Sequence, residues 1–322
     1  MPGLAPPRRV LVRLPNWLGD ALMARPLLHA LRRAHPEARI EAVGDPDFEA
    51  LLESEPWDRF WLRVPPRLPE PGADVAVILP PSFSSAWDAW RWKARARLGF
   101  ASDGRSLLLT HPWRRPERGE MHLSREYLAL AAPLGVTEVP VPPLDPGDDV
   151  RGFTQELLEK TGGVPDRWVV LGPGAIYGSA KRWPAERFAA VGRQLAARGL
   201  TVLVCGGKAD LPLAEQVARA IGPAARVLAG KTHLVQQLAL CADAVATVCN
   251  DSGLAHLAAA TGAPTVVVFG STSSAWTAPL GAGVTVVQHP PVCSPCFRRT
   301  CAIGYRCLEA VSVEEVVRCV AA

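Results

Sequence analysis

Hydrophobic positions along this chain switch repeatedly between two periods. Val10 to Leu14 and residues 39–43, 60–64 and 75–79 are short aliphatic or β-branched runs. Such runs suit strands covered on both faces. Residues 21–34 carry Leu22, Leu27, Leu28 and Leu31 on one helical face, with Pro26 expected to kink that helix or reset its start. Further helices are expected at 48–52, 84–97 and 123–132, with short apolar runs near Leu98 and Leu108. Pro140, Pro142, Pro143 and Pro146 then make 138–147 a stiff, non-regular link. A second alternation follows, with helices expected at 149–160, 185–197, 211–221, from Leu234 and at 254–260. Its strands are expected at 168–171, 201–205, 226–228, 244–249 and 265–269. Strands alternating with helices predict an α/β fold with parallel sheets and right-handed crossovers. The pattern predicts two Rossmann-like domains, 1–147 and 148–322, facing a cleft. Ligands of such sheets lie outside the carboxyl ends of the strands. Asp20, Gly172-Pro173-Gly174, Gly206-Gly207 and Asp251 all follow predicted strands.

The run from Ala244 to Ala260 is the most informative unit: a buried strand, the turn Asn250-Asp251-Ser252-Gly253, and a helix. Ser252 or Asp251 is expected to cap the helix by accepting a backbone N–H. Gly253 leaves room for an anion at the first-turn amides. A well-capped but ordinary βαβ unit would read the same way. Residues 172–184 form a glycine-bearing loop ending in Lys181-Arg182-Trp183-Pro184. Lys181 suits a phosphate as a point charge and Arg182 as a bidentate donor. A solvated Lys-Arg pair is the plainer alternative, weakened because Trp183-Pro184 would hold the pair in place. G-x-x-x-x-G-K-[ST] is absent, and the loop after the first strand has one glycine where a dinucleotide fingerprint needs three, so NAD or FAD is disfavoured. Asp20 suits either a first-turn helix carboxylate or a general base. His256, one turn into its helix, suits a structural role or a phosphate contact.

Composition narrows the classes. Apolar residues at 48% are ample for packed cores, and a net charge of +4 is not the strong basic block of a dedicated nucleic-acid binder. No run of about 18 apolar residues appears, so no transmembrane helix is expected. Val10-Leu11-Val12 is too short for a signal-peptide core, which points to the cytoplasm. The eight cysteines are then thiols or metal ligands rather than disulfides. Cys293, Cys296, Cys301 and Cys307 form a compact group that leaves zinc, an iron–sulfur cluster, two disulfides and free thiols open. Trp87, Trp90 and Trp92 among Arg91, Lys93, Arg95 and Arg97 suit a surface meeting an anionic, partly apolar partner. Taken alone, the stretch better suits core tryptophans beside a solvated basic face.

With these motifs in place, nearly the whole chain resembles the ADP-heptose:lipopolysaccharide heptosyltransferases, of the heptosyltransferase II type. The resemblance rests on Arg13-Leu14-Pro15-Asn16-Trp17-Leu18-Gly19-Asp20, Leu79-Pro80-Pro81-Ser82-Phe83, and Gly104-Arg105-Ser106-Leu107-Leu108-Leu109-Thr110. Residues 174–184, Asn250 through His256 and the terminal cysteine group complete it. Pro81 departs from the asparagine expected there, and 206–210 lacks the glutamate that type I relatives set against the nucleoside. The resemblance implies a GT-B fold and inverting transfer with no required cofactor or metal. The donor would be ADP-L-glycero-D-manno-heptose. Asp20 would be the base and Lys181 would steady the departing pyrophosphate. Gly174, Asp251, Ser252, Gly253, Leu254 and His256 would hold the donor in the second domain. The acceptor would be heptosyl-Kdo2-lipid A, an anionic glycolipid at the inner leaflet of the inner membrane. It would bind the first domain, with Arg91, Lys93, Arg114 and Arg115 as its contacts. Another nucleotide-sugar transferase or epimerase, or a non-catalytic nucleotide-sugar or metal-binding protein, are the alternatives.

Overall fold

The computed structural model describes residues 4–65, 67–165 and 167–320, so the first three residues of the basic N-terminal tail lie outside the described residues. The chain divides into two compact units at Pro142–Pro143, inside the proline-rich stretch. The Leu144 amide already donates to the Ala260 carbonyl at 2.7 Å, which ties the end of that stretch to the second unit.

The first unit contains β1 (Arg9–Arg13), α1 (Leu18–Met23), α2 (Arg25–Ala34), β2 (Arg39–Gly44), α3 (Pro46–Leu51) and β3 (Arg59–Leu62). It continues with β4 (Val75–Ile78), α4 (Phe83–Arg91), β5 (Ala96–Phe100), a 3-10 turn (Arg105–Leu108), β6 (His111–Trp113) and α5 (Leu123–Leu130). Its sheet has the order β3-β2-β1-β4-β5-β6, every pair parallel. Pro26 does reset the first helix: α1 ends at Met23 and α2 restarts with Pro26 in its first turn. There proline's missing N–H costs nothing and its fixed φ suits the turn.

The second unit contains α6 (Gly147–Lys160), β7 (Trp168–Gly172), α7 (Ala185–Ala196), β8 (Thr201–Val204), α8 (Leu211–Ile221) and β9 (Ala225–Val227). Then come α9 (Leu234–Ala242), β10 (Ala246–Asn250), α10 (Gly253–Ala260), β11 (Thr265–Val268), α11 (Ser274–Thr277), β12 (Val284–Val287), α12 (Arg306–Glu309) and α13 (Val313–Cys319). Its sheet, β12-β11-β10-β7-β8-β9, is parallel throughout and repeats the strand order of the first. Val169, Leu171, Val202, Val204, Val248 and Val266 pack beneath Trp183, Phe188 and Leu195. Order reverses between β1 and β4 and between β7 and β10, and such switch points are where α/β sheets bind ligands.

One sequence expectation is corrected. The helix expected over 84–97 ends at Arg91; Lys93 takes a left-handed φ of 53°, and Ala96 opens β5. Trp92 is buried in the core beneath α4, so the chain must turn back to the sheet at once. Trp87 and Trp90 are exposed, so the core-tryptophan reading holds for Trp92 alone among the three.

The loop at the carboxyl end of β4 is held by a buried guanidinium. Arg105 donates to the carbonyls of Phe100 (2.8 Å), Pro80 (2.6 Å) and Ser82 (3.0 Å) and to Ser85 Oγ (2.8 Å). Burial without a paired carboxylate pulls its pKa down to about 10, against a weak pull upward from Asp103. Arg105→Met would leave those carbonyls buried without a donor. It is expected to destabilise the first unit by about 3 kcal/mol, read by urea unfolding, with Arg105→Lys recovering part of the loss.

Candidate active site

The second unit builds its site from a single buried amide outward. Asn250, the last residue of β10, is fully buried. Its Oδ1 accepts the Trp183 backbone N–H at 3.0 Å and its Nδ2 donates to the Pro173 carbonyl at 2.7 Å. Both ends of the loop after β7 are thereby tied to β10. Trp183 is itself buried, stacks edge-on against Phe188 and donates its indole N–H to the Val311 carbonyl at 3.3 Å.

Between those anchors a 3-10 turn (Ser179–Lys181) delivers Lys181 to Asp251. Lys181 Nζ lies 2.5 Å from Asp251 Oδ2, with side-chain exposures of 13% and 3%, so the pair is largely shielded from water. Lys181 also sits over the Tyr177 ring at 4.9 Å. Thr272, after β11, donates its hydroxyl to the same carboxylate oxygen at 2.5 Å. Ser271 beside it keeps a buried hydroxyl with no hydrogen-bond partner in the structure.

The expected helix cap is corrected by this geometry. Ser252 occupies the N-cap position of α10 without a side-chain cap bond, and Asp251 is engaged by Lys181 and Thr272 instead. The Ala255 amide donates to the carbonyl of Ser252, the N-cap, so the Gly253 and Leu254 amides lie ahead of the helical ladder. Uncapped first-turn amides attract anions. The Leu254 side chain packs against Gly172, so it offers a ligand its backbone rather than its side chain. His256 is buried one turn further on.

Gly174 admits the Asp210 carboxylate where a Cβ would overlap it. Asp210 accepts the Gly207 N–H at 3.0 Å within the loop after β8, which fixes its carboxylate against Gly174 of the loop after β7. Sequence reasoning missed Asp210, Thr272 and the clamping role of Asn250. Gly174, which Asp210 meets, Asp251, which Thr272 meets, and Trp183 and Pro173, which Asn250 meets, lie on other loops, and short polar residues after strands give little other signal.

The cysteine segment packs on this loop. The Ala180 amide donates to the Arg299 carbonyl at 3.0 Å, Tyr177 Oη donates to the Phe297 carbonyl at 2.5 Å, and Ser179 Oγ meets Tyr305 Oη at 2.8 Å. The Ser271 carbonyl accepts the Cys296 and Phe297 amides at 3.0 and 2.8 Å. Cys293, Cys296, Cys301 and Cys307 are all free thiols. Among the described residues no group of three or more His, Cys, Asp or Glu side chains is placed to hold a metal. Cys301 Sγ accepts the Ile303 and Tyr305 amides at 3.5 and 3.3 Å, and those donors lower its pKa.

In the first unit Asp20 is half-buried in the first turn of α1, beyond the carboxyl end of β1. Its charge reaches the buried phenol of Tyr127 on α5, whose pKa is raised first by burial and then by Asp20. Arg114 and Arg115 follow β6 and share that edge of the sheet. Arg114 is exposed, whereas Arg115 pairs with buried Glu126 at 2.6 Å and lies 4.7 Å over Phe100. Arg91 and Lys93 are placed elsewhere. They precede β5, where the Trp92 carbonyl accepts the Gly72 amide and Arg95 N–H reaches the Ala73 carbonyl, at the amino edge of the sheet. A strand of this length separates the two edges by about 15 Å. Arg91 and Lys93 therefore do not join Asp20.

Two parallel sheets of one strand order, the second carrying a shielded cation and a helix start without a side-chain cap at its carboxyl edge, define an α/β protein of the GT-B class. The model of glycosyltransferase family 9 (heptosyltransferase) matches residues 61–305, and the chain belongs to that family of glycosyl-transfer enzymes. It is 29% identical over 305 residues to lipooligosaccharide heptosyltransferase 2 of Haemophilus influenzae, covering 87% of this chain and 88% of that one. The same identity extends over 313 residues of lipopolysaccharide heptosyltransferase 2 of Escherichia coli, with the same 87% and 88% coverage. Among solved structures, E. coli ADP-heptose LPS heptosyltransferase II superposes with a TM-score of 0.80 at 25% identity, covering 97% of both chains. A family 9 glycosyltransferase from Veillonella parvula gives a TM-score of 0.82 at 23% identity, covering 97% and 95%.

The close approach at Gly174 is testable. Gly174→Ala is expected to destabilise the second unit by about 2 kcal/mol, because Asp210 must leave the Gly207 amide. In a double-mutant cycle with Asp210→Ala, denaturant unfolding should show the two losses well short of additive.

Proposed function

We propose that this enzyme transfers heptose from ADP-L-glycero-D-manno-heptose to a heptosyl-Kdo2-lipid A acceptor, building the inner core of lipopolysaccharide. The observation that carries the reading is the shielded Lys181–Asp251 pair beside the first-turn amides of α10. The names of the relatives supply the sugar and the pathway.

In this reading Asp20 accepts the proton of the acceptor hydroxyl as its oxygen attacks the anomeric carbon. The new glycosidic C–O bond forms as the bond from that carbon to the diphosphate breaks, and ADP leaves with the electron pair. Configuration inverts because attack and departure occupy opposite faces of the carbon. The negative charge growing on the diphosphate meets Lys181 and the Gly253 and Leu254 amides, where Ser252 and His256 are also placed to bond phosphate oxygens. Charge stabilisation of this preorganised kind is a large term in group transfer. Asp251 orients Lys181 and lies where the donor sugar would be held. Gly174 lets the backbone approach the donor closely. Residues 1–147 would serve the acceptor and 148–322 the donor. Arg114 and Arg115, on the edge that carries Asp20, are the better-placed acceptor contacts. The reaction would take place on the cytoplasmic side of the inner membrane.

The test is heptose transfer from ADP-heptose to heptosyl-Kdo2-lipid A. Asp20→Asn is expected to lower kcat by about 10²- to 10⁴-fold with little change in ADP binding. Lys181→Ala should lower it by about 10²- to 10³-fold. EDTA should leave the wild-type rate unchanged. ADP-heptose binding without transfer would move the enzyme to another acceptor, and failure to bind ADP-heptose or ADP would overturn the reading.

A further inference from the structure

Helix α4 presents a surface that the transfer reaction does not use. Phe83, Trp87 and Trp90 recur at helical spacing and are 47%, 42% and 48% exposed. They stack on one another rather than on the core. Phe83 and Trp87 are 6.4 Å apart between centroids at 18°, and Trp87 and Trp90 are 4.8 Å apart at 25°. The opposite face of the helix, through Ala86 and Ala89, is what packs into the core. Leu107, on the 3-10 turn beside α4, is 96% exposed. A ridge of large apolar side chains in water is costly to leave uncovered, because each ring would gain from removal of its surface.

Charge at the foot of this ridge indicates what covers it. A surface depression of about 440 Å³ is lined by Trp90, Arg91, Lys93, Ala94 and Arg97, three cations and no carboxylate. Arg97 is held there by the Leu108 and Ala94 carbonyls, each at 2.6 Å, so its charge is fixed in position. Arg95, 3.7 Å from Asp74, adds a further cation whose side chain is 82% exposed. Asp88, the one carboxylate of α4, is half-buried and lies among Arg13, Arg91 and Arg63. A second copy of this chain on the same face would bring like charges together. A ridge is also the wrong shape for a partner that needs a cleft to fill. Indole rings prefer the boundary between hydrocarbon and water, and cations beside them favour anionic head groups.

We propose that α4 is a membrane-docking helix. Phe83, Trp87, Trp90 and Leu107 enter the interfacial layer of an anionic bilayer, and Arg91, Lys93, Arg95 and Arg97 engage phosphate head groups. This deepens the glycolipid-acceptor reading above. It also gives Arg91 and Lys93 a role suited to their place at the far edge of the sheet from Asp20.

The test is co-sedimentation of the full chain with vesicles of phosphatidylethanolamine and phosphatidylglycerol, with phosphatidylcholine vesicles as control. Wild type should partition onto the anionic vesicles only, less so as salt rises, with tryptophan emission quenched by brominated acyl chains. Trp87→Ser/Trp90→Ser and Arg91→Glu/Lys93→Glu should each lose about tenfold or more in partitioning while keeping the wild-type circular dichroism spectrum. The tryptophan variant should still transfer heptose to a lipid-free acceptor oligosaccharide at the wild-type rate and lose rate on acceptor embedded in vesicles. No wild-type binding to anionic vesicles, or equal binding by both variants, overturns the proposal. Vesicle binding by a protein that transfers no heptose would sink the functional reading and leave the docking helix standing.

Discussion

The loops at the carboxyl edge of the second unit's sheet hang on one buried side-chain amide. Asn250 has no exposed surface, and it spends its acceptor on the Trp183 N–H and a donor on the Pro173 carbonyl. Those two partners bracket the whole segment that carries Gly174, Tyr177 and Lys181. An aspartate there could accept from Trp183 but could not donate to Pro173, and a leucine could do neither. Either change would strand buried backbone groups, each costing about 1–3 kcal/mol. The position of Lys181 is thus set at the end of β10, in the same turn that supplies its counter-ion. Site and clamp are one local structure.

Magnitudes argue that the Lys181–Asp251 pair is not there for stability. At 2.5 Å and an effective dielectric near 20, the attraction is roughly 7 kcal/mol. Removing two ions from water costs several kcal/mol for each, so the net contribution is near zero. What the pair achieves is placement. Paired with Asp251 and resting on Tyr177, the lysine is held at a defined point instead of swinging out to water. A diphosphate arriving at α10 would meet a cation whose desolvation is already offset. The cysteine segment strengthens the same placement from outside, since Arg299, Phe297 and Tyr305 bond directly to Ala180, Tyr177 and Ser179.

Much of this architecture was legible in the sequence, for a local reason. Strands buried on both faces leave continuous aliphatic runs, and Pro26 marks a helix boundary whatever packs around it. The end of α4 was not legible, because the helix and β5 join through Trp92-Lys93-Ala94-Arg95 without glycine or proline. β6 was hidden as well: His111-Pro112-Trp113 is a short edge strand with no apolar alternation. The strand-turn-helix unit at Asn250 was visible, but its cap was misread. An aspartate at a helix start normally caps; here Lys181 and Thr272, distant in sequence, compete for it and win. Asp20 and Lys181 could be nominated from their motifs, whereas Asp210, Thr272 and the clamping amide emerge only from tertiary contacts.

The basic stretch of the first unit carries the same lesson further. Read linearly, residues 85–118 form one cationic region. The fold sorts them by what each guanidinium or ammonium can reach. Arg105 is consumed by carbonyls in the core, Arg115 is oriented through its Nε by Glu126, and Arg97 is fixed by two backbone oxygens at the rim of a depression. Because β4, α4 and β5 form a crossover, the helix must carry the chain from the carboxyl edge of the sheet back to its amino edge. Cations before β5 and cations after β6 therefore end on opposite edges of the sheet, close in sequence and about a strand length apart in space. Clustered charge in sequence is no guide to clustered charge in space within a parallel sheet. The edge that carries Asp20 receives Arg114 and Arg115, and the foot of the tryptophan ridge receives Arg91, Lys93 and Arg97.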